Sequence, residues 1–424
     1  MERGHLGEWE RVQRHKSKTY IDDLDGEVFP FVSHPDWVER YPTTTVREMP
    51  SSFYEELRLA GEQLFAIFNK TSLVLQKSPD ELLVMLGLPV EVIPFLRMSN
   101  PLRYCSFLSR MDFLYDEKGG LKFIEINSDT PCAVIESFYG NRIACDYYDK
   151  DDPNEMFYKD ISKVFHTILQ SYEDCGYVTT NFVFTSNDQF NEDLATTLYL
   201  MNLSGFKAKY VPLADLRVKR EGLFANGEKI DVLYRLHPIE MMAKDTDVDG
   251  YPSGLLLLEL VRQKKLVMIN PPEGLILQTK ALQALIWSLK NDDTFYSQTE
   301  KNFINQYMLP SFLDQNALIG EKHIEKPILG REGNGITLYD EKKEVLECTK
   351  DEVKLLGSSL YQKFFETPDV ECGTSGGMKQ GKLTYSVFVL NGQATSVFCR
   401  FNTSLIAGLN AYWLPLSIKK DSLG

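Results

Sequence analysis

The sequence predicts a mixed α/β fold, α+β in character with a parallel sheet, on three observations. Short β runs alternate with helices between about residues 180 and 272, the pattern of βαβ units. Before residue 100, apolar residues recur at helical spacing. Near the C-terminus, two alternating runs flank Asn391-Gly392, a strong short hairpin signal. The chain has 424 residues, which at roughly 150 per domain makes about three structural units. With 43% hydrophobic and 12% aromatic residues it has ample material for their cores.

Residues 1 to about 100 read as a helical cap, with Phe53, Leu57, Leu64, Phe65 and Phe68 near one stripe of a helix. A hairpin follows over Arg110–Asn127, two alternating runs around a polar turn ending in Gly119-Gly120. The acidic stretch Asp146–Glu155 reads as a linker or exposed loop. Next come a strand at Phe182–Thr185, a helix around Glu192–Met201 and a strand at Ala208–Pro212. Leu266–Pro272 is a buried strand stopped by two prolines. A helix from about Lys280 to Leu289 opens a third region, mostly strands, which includes Leu383–Leu390 and Ala394–Phe401. No internal repeat is visible.

The net formal charge of −14 repels phosphate backbones and anionic lipid, so neither nucleic acid nor membrane is expected as a partner. Small cationic or neutral partners are favoured at long range. Seven cysteines without paired spacing predict a reducing compartment. The first residues carry charges and no apolar core of a signal peptide, and no apolar stretch approaches a membrane span, so a soluble cytoplasmic protein is expected. Asn69, Asn202 and Asn402 begin Asn-x-Ser/Thr triplets that are chance matches in that setting. The sequence carries no signal for oligomeric state.

The hairpin carries the most chemistry. A four-residue turn at Glu117–Gly120 sets Asp112 opposite Glu125 and Arg110 opposite Asn127. Facing carboxylates destabilise a bare sheet and call for a cation. Asp112, Glu125 and Asn127 form a hard oxygen set suited to Mg²⁺ shared with phosphate. A solvated face bearing ordinary charges is the other reading, and Glu125 within the apolar run Phe-Ile-Glu-Ile favours the first, since buried carboxylates need partners. In the segment Glu325–Leu338, glycines would let backbone N–H groups approach phosphate and Lys326 would add a point charge. A ligand-free glycine-rich turn is the alternative. Neither a Walker A loop nor a dinucleotide fingerprint is present. Lys280 and Arg400, taken singly, read as surface or snorkelling side chains. Asp245–Gly250 copies half of a calcium loop but has Leu256 where a bidentate Glu is needed, so it is a polar loop. No zinc spacing or cysteine-nucleophile motif appears.

Taken together, Arg110-Met-Asp112, Glu125-Ile-Asn127-Ser-Asp-Thr-Pro131, Ile269-Asn-Pro-Pro272, Thr279-Lys280-Ala-Leu282, Lys326-Pro-Ile-Leu-Gly-Arg-Glu-Gly333 and Arg400 resemble the synthetase domain of glutathionylspermidine synthase and its stand-alone relatives. The blocks stand in that family's order across about residues 100 to 405. The resemblance implies an ATP-grasp-like fold with permuted order, plus a Rossmann-like pre-ATP-grasp unit. Its parts would be a cap (1–100), the metal-carboxylate part of the ATP-grasp (101–175), the Rossmann-like unit (176–275) and the remaining ATP-grasp (276–424).

Carried over residue by residue, Asp112, Glu125 and Asn127 would hold Mg²⁺ against the phosphates of ATP. Lys280 and Lys326 would contact those phosphates, with Gly333, Asn334 and Gly335 in the loop closing over them. Arg110 and Arg400 would stabilise the transferring phosphoryl group and the acyl phosphate made from it. The segment after Asn127 lines the acyl-substrate side in the family, with small hydroxyl residues; here Thr130 keeps one hydroxyl and Cys132 places a thiol at another. The implied activity is an ATP- and Mg²⁺-dependent ligation of a peptide-like or small carboxylate to an amine, with a polyamine as one amine class. The amidase domain of the bifunctional relatives is not expected. An ATP-binding scaffold, or a kinase stopping at a phosphorylated product, would use the same residues.

Overall fold

The computed structural model describes residues 19–33, 39–349, 358–408 and 410–419, and its fold is mixed helix and sheet of the ATP-grasp type. The long N-terminal element is helix α1 (Ser51–Leu75). Phe53, Leu57, Leu64, Phe65 and Phe68 are all buried along it, because residues three and four apart share a helix face. That face lies on a sheet. Phe53 meets Tyr385 edge-on with ring centroids 4.8 Å apart, and a Cβ on Gly61 would stand 2.4 Å from Val387 Cγ1. Residues 1–18 and 34–38 of the expected cap lie outside the described residues.

Strands β1 (Leu108–Asp116) and β2 (Gly120–Asn127) form the hairpin. Arg110 pairs with Asn127 and Asp112 with Glu125, as expected. The route to that register differs from the expectation. The turn is one residue shorter, with Asp116 opposite Gly120, and a bulge between Asp112 and Phe113 leaves Ile124 without a ladder partner. The short turn would slip the register by one residue, and the bulge restores it. It also sorts the faces: Phe123 opposes Phe113 on the core side, against Phe68 of α1 at 5.1 Å, while Glu125 opposes Asp112 on the other side. In a regular strand Phe123 and Glu125 would share one face.

A four-stranded parallel sheet follows, in the order β6-β5-β3-β4, built from β3 (Phe182–Ser186), β4 (Lys209–Tyr210), β5 (Val232–Leu236) and β6 (Val267–Ile269). Between β3 and β4 runs helix α2 (Asn191–Ser204), ended by Gly205 in the left-handed region. Helix α3 (Ala281–Leu289) then leads to a five-stranded antiparallel sheet, β7-β11-β8-β9-β10, made of β7 (Ser311–Phe312), β8 (His323–Pro327), β9 (Thr337–Tyr339), β10 (Val345–Cys348) and β11 (Ser359–Lys363). The chain finally returns to the hairpin. Strands β12 (Val370–Thr374), β13 (Gly377–Leu390), β14 (Gln393–Asn402) and β15 (Tyr412–Trp413) complete a six-stranded antiparallel sheet in which β13 lies between β14 and β1.

The acidic stretch at 146–155 is only partly an exposed loop. Asn154 is fully buried and its side chain bonds Ser137 O, Val397 O and Val397 N, so this segment is fastened to β14. All seven cysteines are free. Among the described residues no helix is long and apolar enough to cross a membrane. Phe123→Ala should lower stability by about 3–5 kcal/mol in chemical denaturation, since Phe123 is fully buried between Phe68 and Phe113.

Candidate active site

The hairpin face opposite α1 holds the first group of site residues. Arg110 Nε and Nη2 donate to the two oxygens of Asp112 at 2.9 and 3.0 Å. Arg400 on β14 reaches the same carboxylate, with Nη2 to Oδ2 at 2.8 Å, and Asn127 Nδ2 lies 3.4 Å from Oδ2. Asp112 is fully buried. Two guanidiniums therefore hold it, and removing both would leave a costly buried charge. Burial opposes the charge on Arg110, but the Asp112 carboxylate raises its pKa. Arg110 Nη1 also donates to Cys132 O at 3.1 Å.

Across the ladder, Glu125 faces the lysines. Lys280 Nζ stands 3.3 Å from Glu125 Oε2 and donates to Gly330 O at 2.7 Å. Lys326 Nζ donates to Ile124 O at 3.2 Å and to Gln362 Oε1 at 2.9 Å. The bulge that sorts the hairpin faces thus also frees the Ile124 carbonyl, which accepts Gln283 Nε2 as well at 3.2 Å. Burial pushes the Glu125 carboxyl up, but Lys280, Lys326, Arg400 and Arg110 outweigh it and hold the pKa at about 2. Lys326 is pushed down to about 8 by burial, with Lys280 adding to the shift against the pull of Glu125.

The glycine segment folds over these lysines. Glu332, Gly333 and Gly335 all have positive φ, +55°, +73° and +69°. A Cβ on Gly333 would lie 2.1 Å from the Ala407 carbonyl oxygen, so only glycine fits there. Thr349 Oγ1 fixes the loop's base by donating to Gly333 O at 2.7 Å and accepting from Ile336 N at 2.9 Å. Gly333 and Asn334 line a cavity of about 10 Å³ with Glu125, Lys280 and Lys326, too small for more than one water. A cavity of about 230 Å³ lies on the other side of Asn334, walled by Glu332, Glu347, Asn402 and Ser404 among others.

Thr130 and Cys132 follow β2 directly. Thr130 Oγ1 accepts from Arg331 Nη1 at 3.1 Å, and Arg331 Nε donates to Glu240 at 2.8 Å. Arg331 therefore ties the glycine segment to the hairpin's exit. Asp129, fully buried, pairs with the fully buried Arg235 of β5 and accepts from Ile239 N at 2.9 Å. The Cys132 thiol pKa is raised well above its ordinary value by burial and by Glu192 and Asp193, so it is held as a thiol.

The structure brings Arg110, Asp112, Asn127 and Arg400 into one bonded group and Glu125, Lys280 and Lys326 into a second, joined through the Asp112–Glu125 pair. Gly333 and Asn334 cover the second group. Gly335 ends the loop and does not line the small cavity. Sequence reasoning missed the Ile124 carbonyl, although the Phe123-Ile124 doublet breaks the alternation and signals a bulge. It also missed an acidic wall. Glu136 is buried on a π-helical turn (Ile135–Gly140), with Tyr41 Oη donating to its Oε1 at 3.0 Å and Oε2 without a hydrogen-bond partner among the described residues. Burial raises its pKa. Glu192, open to solvent yet crowded by protein, is pushed up to about 8 by burial and then by Glu136, Asp193 and Glu332. Asp193 is pushed up to about 6 by burial and Glu332. No spacing in the sequence links Glu136 to the adjacent pair Glu192 and Asp193.

Because Lys280 contributes to its depressed pKa, Lys326 should titrate near pH 8 in the free protein and move back up in Lys280→Met. NMR of ¹³Cε-labelled lysine reads both, and a midpoint near the ordinary value of about 10.4 would contradict this geometry.

Among the described residues no three His, Cys, Asp or Glu side chains gather as a metal site. The oxygen set on the hairpin is instead two carboxylates and an amide. Its hard donors lie on one face and are of the type that fits a divalent cation shared with phosphate, with both Asp112 oxygens here accepting from Arg110 and Arg400.

Residues 13–419 match the family described as "Glutathionylspermidine synthase preATP-grasp". A Haemophilus influenzae protein named "Putative acid--amine ligase" is 22% identical over 275 residues, which cover 62% of this chain and 64% of that protein. The match thus spans less than two thirds of that relative's length. Among solved structures, the apo form of a glutathione synthetase-like effector (GSS30) from Globodera pallida superposes with a TM-score of 0.58 at 9% identity, covering 94% of this chain and 96% of the other. That likeness concerns the fold alone. Through the family match, which runs across nearly the whole length, the chain belongs to the glutathionylspermidine synthase pre-ATP-grasp family.

Proposed function

We propose that the protein is an ATP- and Mg²⁺-dependent carboxylate–amine ligase that forms an amide through an acyl phosphate. The observation that carries this reading is the convergence of Arg110, Arg400, Lys280 and Lys326 on the facing pair Asp112 and Glu125. Four cations against two carboxylates leave a surplus of two positive charges, which suits a Mg²⁺-bound nucleoside triphosphate. Phosphoryl transfer asks a protein mainly for positioning and charge neutralisation. The family membership and the acid–amine ligase relative support the same class.

In this reading Asp112, Glu125 and Asn127 hold Mg²⁺, which when bound neutralises phosphate charge. Lys280 and Lys326 exchange their present partners, Glu125, Gly330 O and Ile124 O, for phosphate oxygens. The 10 Å³ cavity cannot admit a triphosphate, so the segment Gly330–Gly335 lifts to let it in, then closes. Arg110 and Arg400 are placed for the transferring group. A carboxylate oxygen of the acid attacks the γ-phosphorus and ADP departs. The amine nitrogen then attacks the carbonyl, forms the C–N bond, loses a proton and expels phosphate with that carboxylate oxygen. Thr130 and Cys132 adjoin the acid's place. The wall of Glu136, Glu192 and Asp193 suits a cationic amine, a polyamine included, since a bound cation favours the charged carboxylates against the burial that raises all three pKa values and the repulsion that adds to it at Glu192 and Asp193.

With ATP, Mg²⁺ and a panel of acids and amines, the protein should yield a product whose mass equals acid plus amine minus water. Asp112→Asn should lower turnover by about 10²–10³-fold or more, beyond any loss of folded protein seen by circular dichroism. ATP binding without amine-dependent ADP formation, or a product that is only phosphorylated, would overturn the reading. Because Lys326 loses its charge as pH rises through about 8, ATP affinity should fall above pH 8, by at most about tenfold per pH unit for one proton. Calorimetry across pH 7 to 9.5 would check this, with Lys326→Met showing a flatter profile.

A further inference from the structure

The segment Ile269-Asn-Pro-Pro272 has no part in the chemistry above, yet its asparagine is the most heavily bonded amide in the molecule's centre. Asn270 is 1% exposed. Its Oδ1 accepts from Phe107 N at 3.0 Å and from Leu108 N at 2.9 Å. Its Nδ2 donates to Leu108 O at 2.7 Å, Asp129 O at 3.1 Å and Ser128 O at 3.2 Å. With two donors meeting the oxygen and three carbonyls meeting the nitrogen, the amide has only one orientation.

The location of these partners matters. The β1–β2 ladder ends at Arg110–Asn127, so the chain entering β1 and the chain leaving β2 have no backbone bonds to each other beyond that pair. On the entering side are Phe107 and Leu108, the residue before β1 and its first residue, the latter also paired with Leu390 of β13; Ser128 and Asp129 are the leaving chain. Asn270, sitting just after β6, holds both. Its side chain acts as an added peptide group that continues the ladder past its open end. The neighbouring bonds run the same way: Gln278 Oε1 accepts from Ser128 N at 2.8 Å, and Ser106 Oγ donates to Ser128 O at 2.6 Å. The open end is also where Arg110 and Asn127 sit.

We propose that Asn270 is a positioning residue for the metal-ligand face: it clamps the open end of the hairpin so that Asn127 and Arg110 stay in register with Asp112 and Glu125. This rests on the reading of that face as a Mg²⁺–nucleotide site. Asn270 touches no reacting group, so its loss acts through the separation of the ligands. Mg²⁺ dependence should suffer more than stability does.

The test compares Asn270→Ser with Asn141→Ser in the full chain. Asn141 is also buried, and its amide bonds Leu416 O, Leu416 N and Asp152, away from the hairpin. Thermal midpoints are measured together with the Mg²⁺ concentration that half-saturates ATP turnover. The expected result is a half-saturating Mg²⁺ concentration raised about tenfold or more in Asn270→Ser, the shift of a displaced outer-shell support. Asn141→Ser should lose thermal stability with Mg²⁺ dependence unchanged. Equal shifts in the two variants, or none in Asn270→Ser, would overturn the proposal. Should Asn270→Ser not fold, hydrogen exchange of the wild-type protein decides: the Phe107 and Leu108 amides should be as protected as the β1 ladder amides, and loop-like exchange there would overturn the clamp. A wild-type protein that turns over no ATP would refute the functional reading instead, and the exchange measurement would still judge the clamp.

Discussion

Two carboxylates placed face to face on one hairpin set the terms for the whole arrangement. Asp112 and Glu125 oppose each other on adjacent strands, where repulsion would spread the pair unless cations lie within a few ångströms. The hairpin itself supplies only Arg110. Arg400 comes from β14, Lys280 from the start of α3 and Lys326 from β8, so three distant stretches of chain must converge. The sheet order follows from that demand. β13 returns across more than two hundred residues to lie beside β1, with β14 on its far side, and this return puts the Arg400 guanidinium on Asp112.

The bulge at Ile124 is the second hinge of the design. It lets one strand give Phe123 to the core and Glu125 to the site, two residues apart. The carbonyl it releases from the ladder is used at once by Lys326 and Gln283. Core packing and site chemistry therefore share a single backbone irregularity. The glycine segment adds a cover: its positive-φ residues and the close Gly333–Ala407 approach let it fold over the lysines around a cavity of about 10 Å³.

Much of this was legible in the sequence because it is local. The stripe of α1 follows from spacing, the strands around Asn391-Gly392 from turn chemistry, and the pairings Asp112–Glu125 and Arg110–Asn127 from alternation. The hairpin register was reached with a turn one residue too long, an error that the bulge happened to offset. Lys280 and Arg400 read alone as surface side chains; only the joint resemblance gave them a place, and both carry partners in the site. Relations across sequence were out of reach. Glu136 and Glu192 approach through a π-helical turn and the start of α2. Asn270 holds atoms about 140 to 160 residues away. Gln283 and Gln362 bridge a helix and a sheet. Such contacts depend on tertiary packing, which no spacing rule encodes. The acidic stretch at 146–155 misled for the same reason, since composition does not reveal that Asn154 is buried against β14.

The central claim is that the converged cations serve transfer of a phosphoryl group to a carboxylate. The most direct measurement follows oxygen. Glutathione and a set of small acids, labelled with ¹⁸O in their carboxylates, are incubated with the protein, ATP, Mg²⁺ and amines, and the released phosphate is analysed by mass spectrometry. The account predicts one ¹⁸O atom in each phosphate formed with amide. Amide formed with unlabelled phosphate, or phosphate carrying only solvent oxygen, would contradict it.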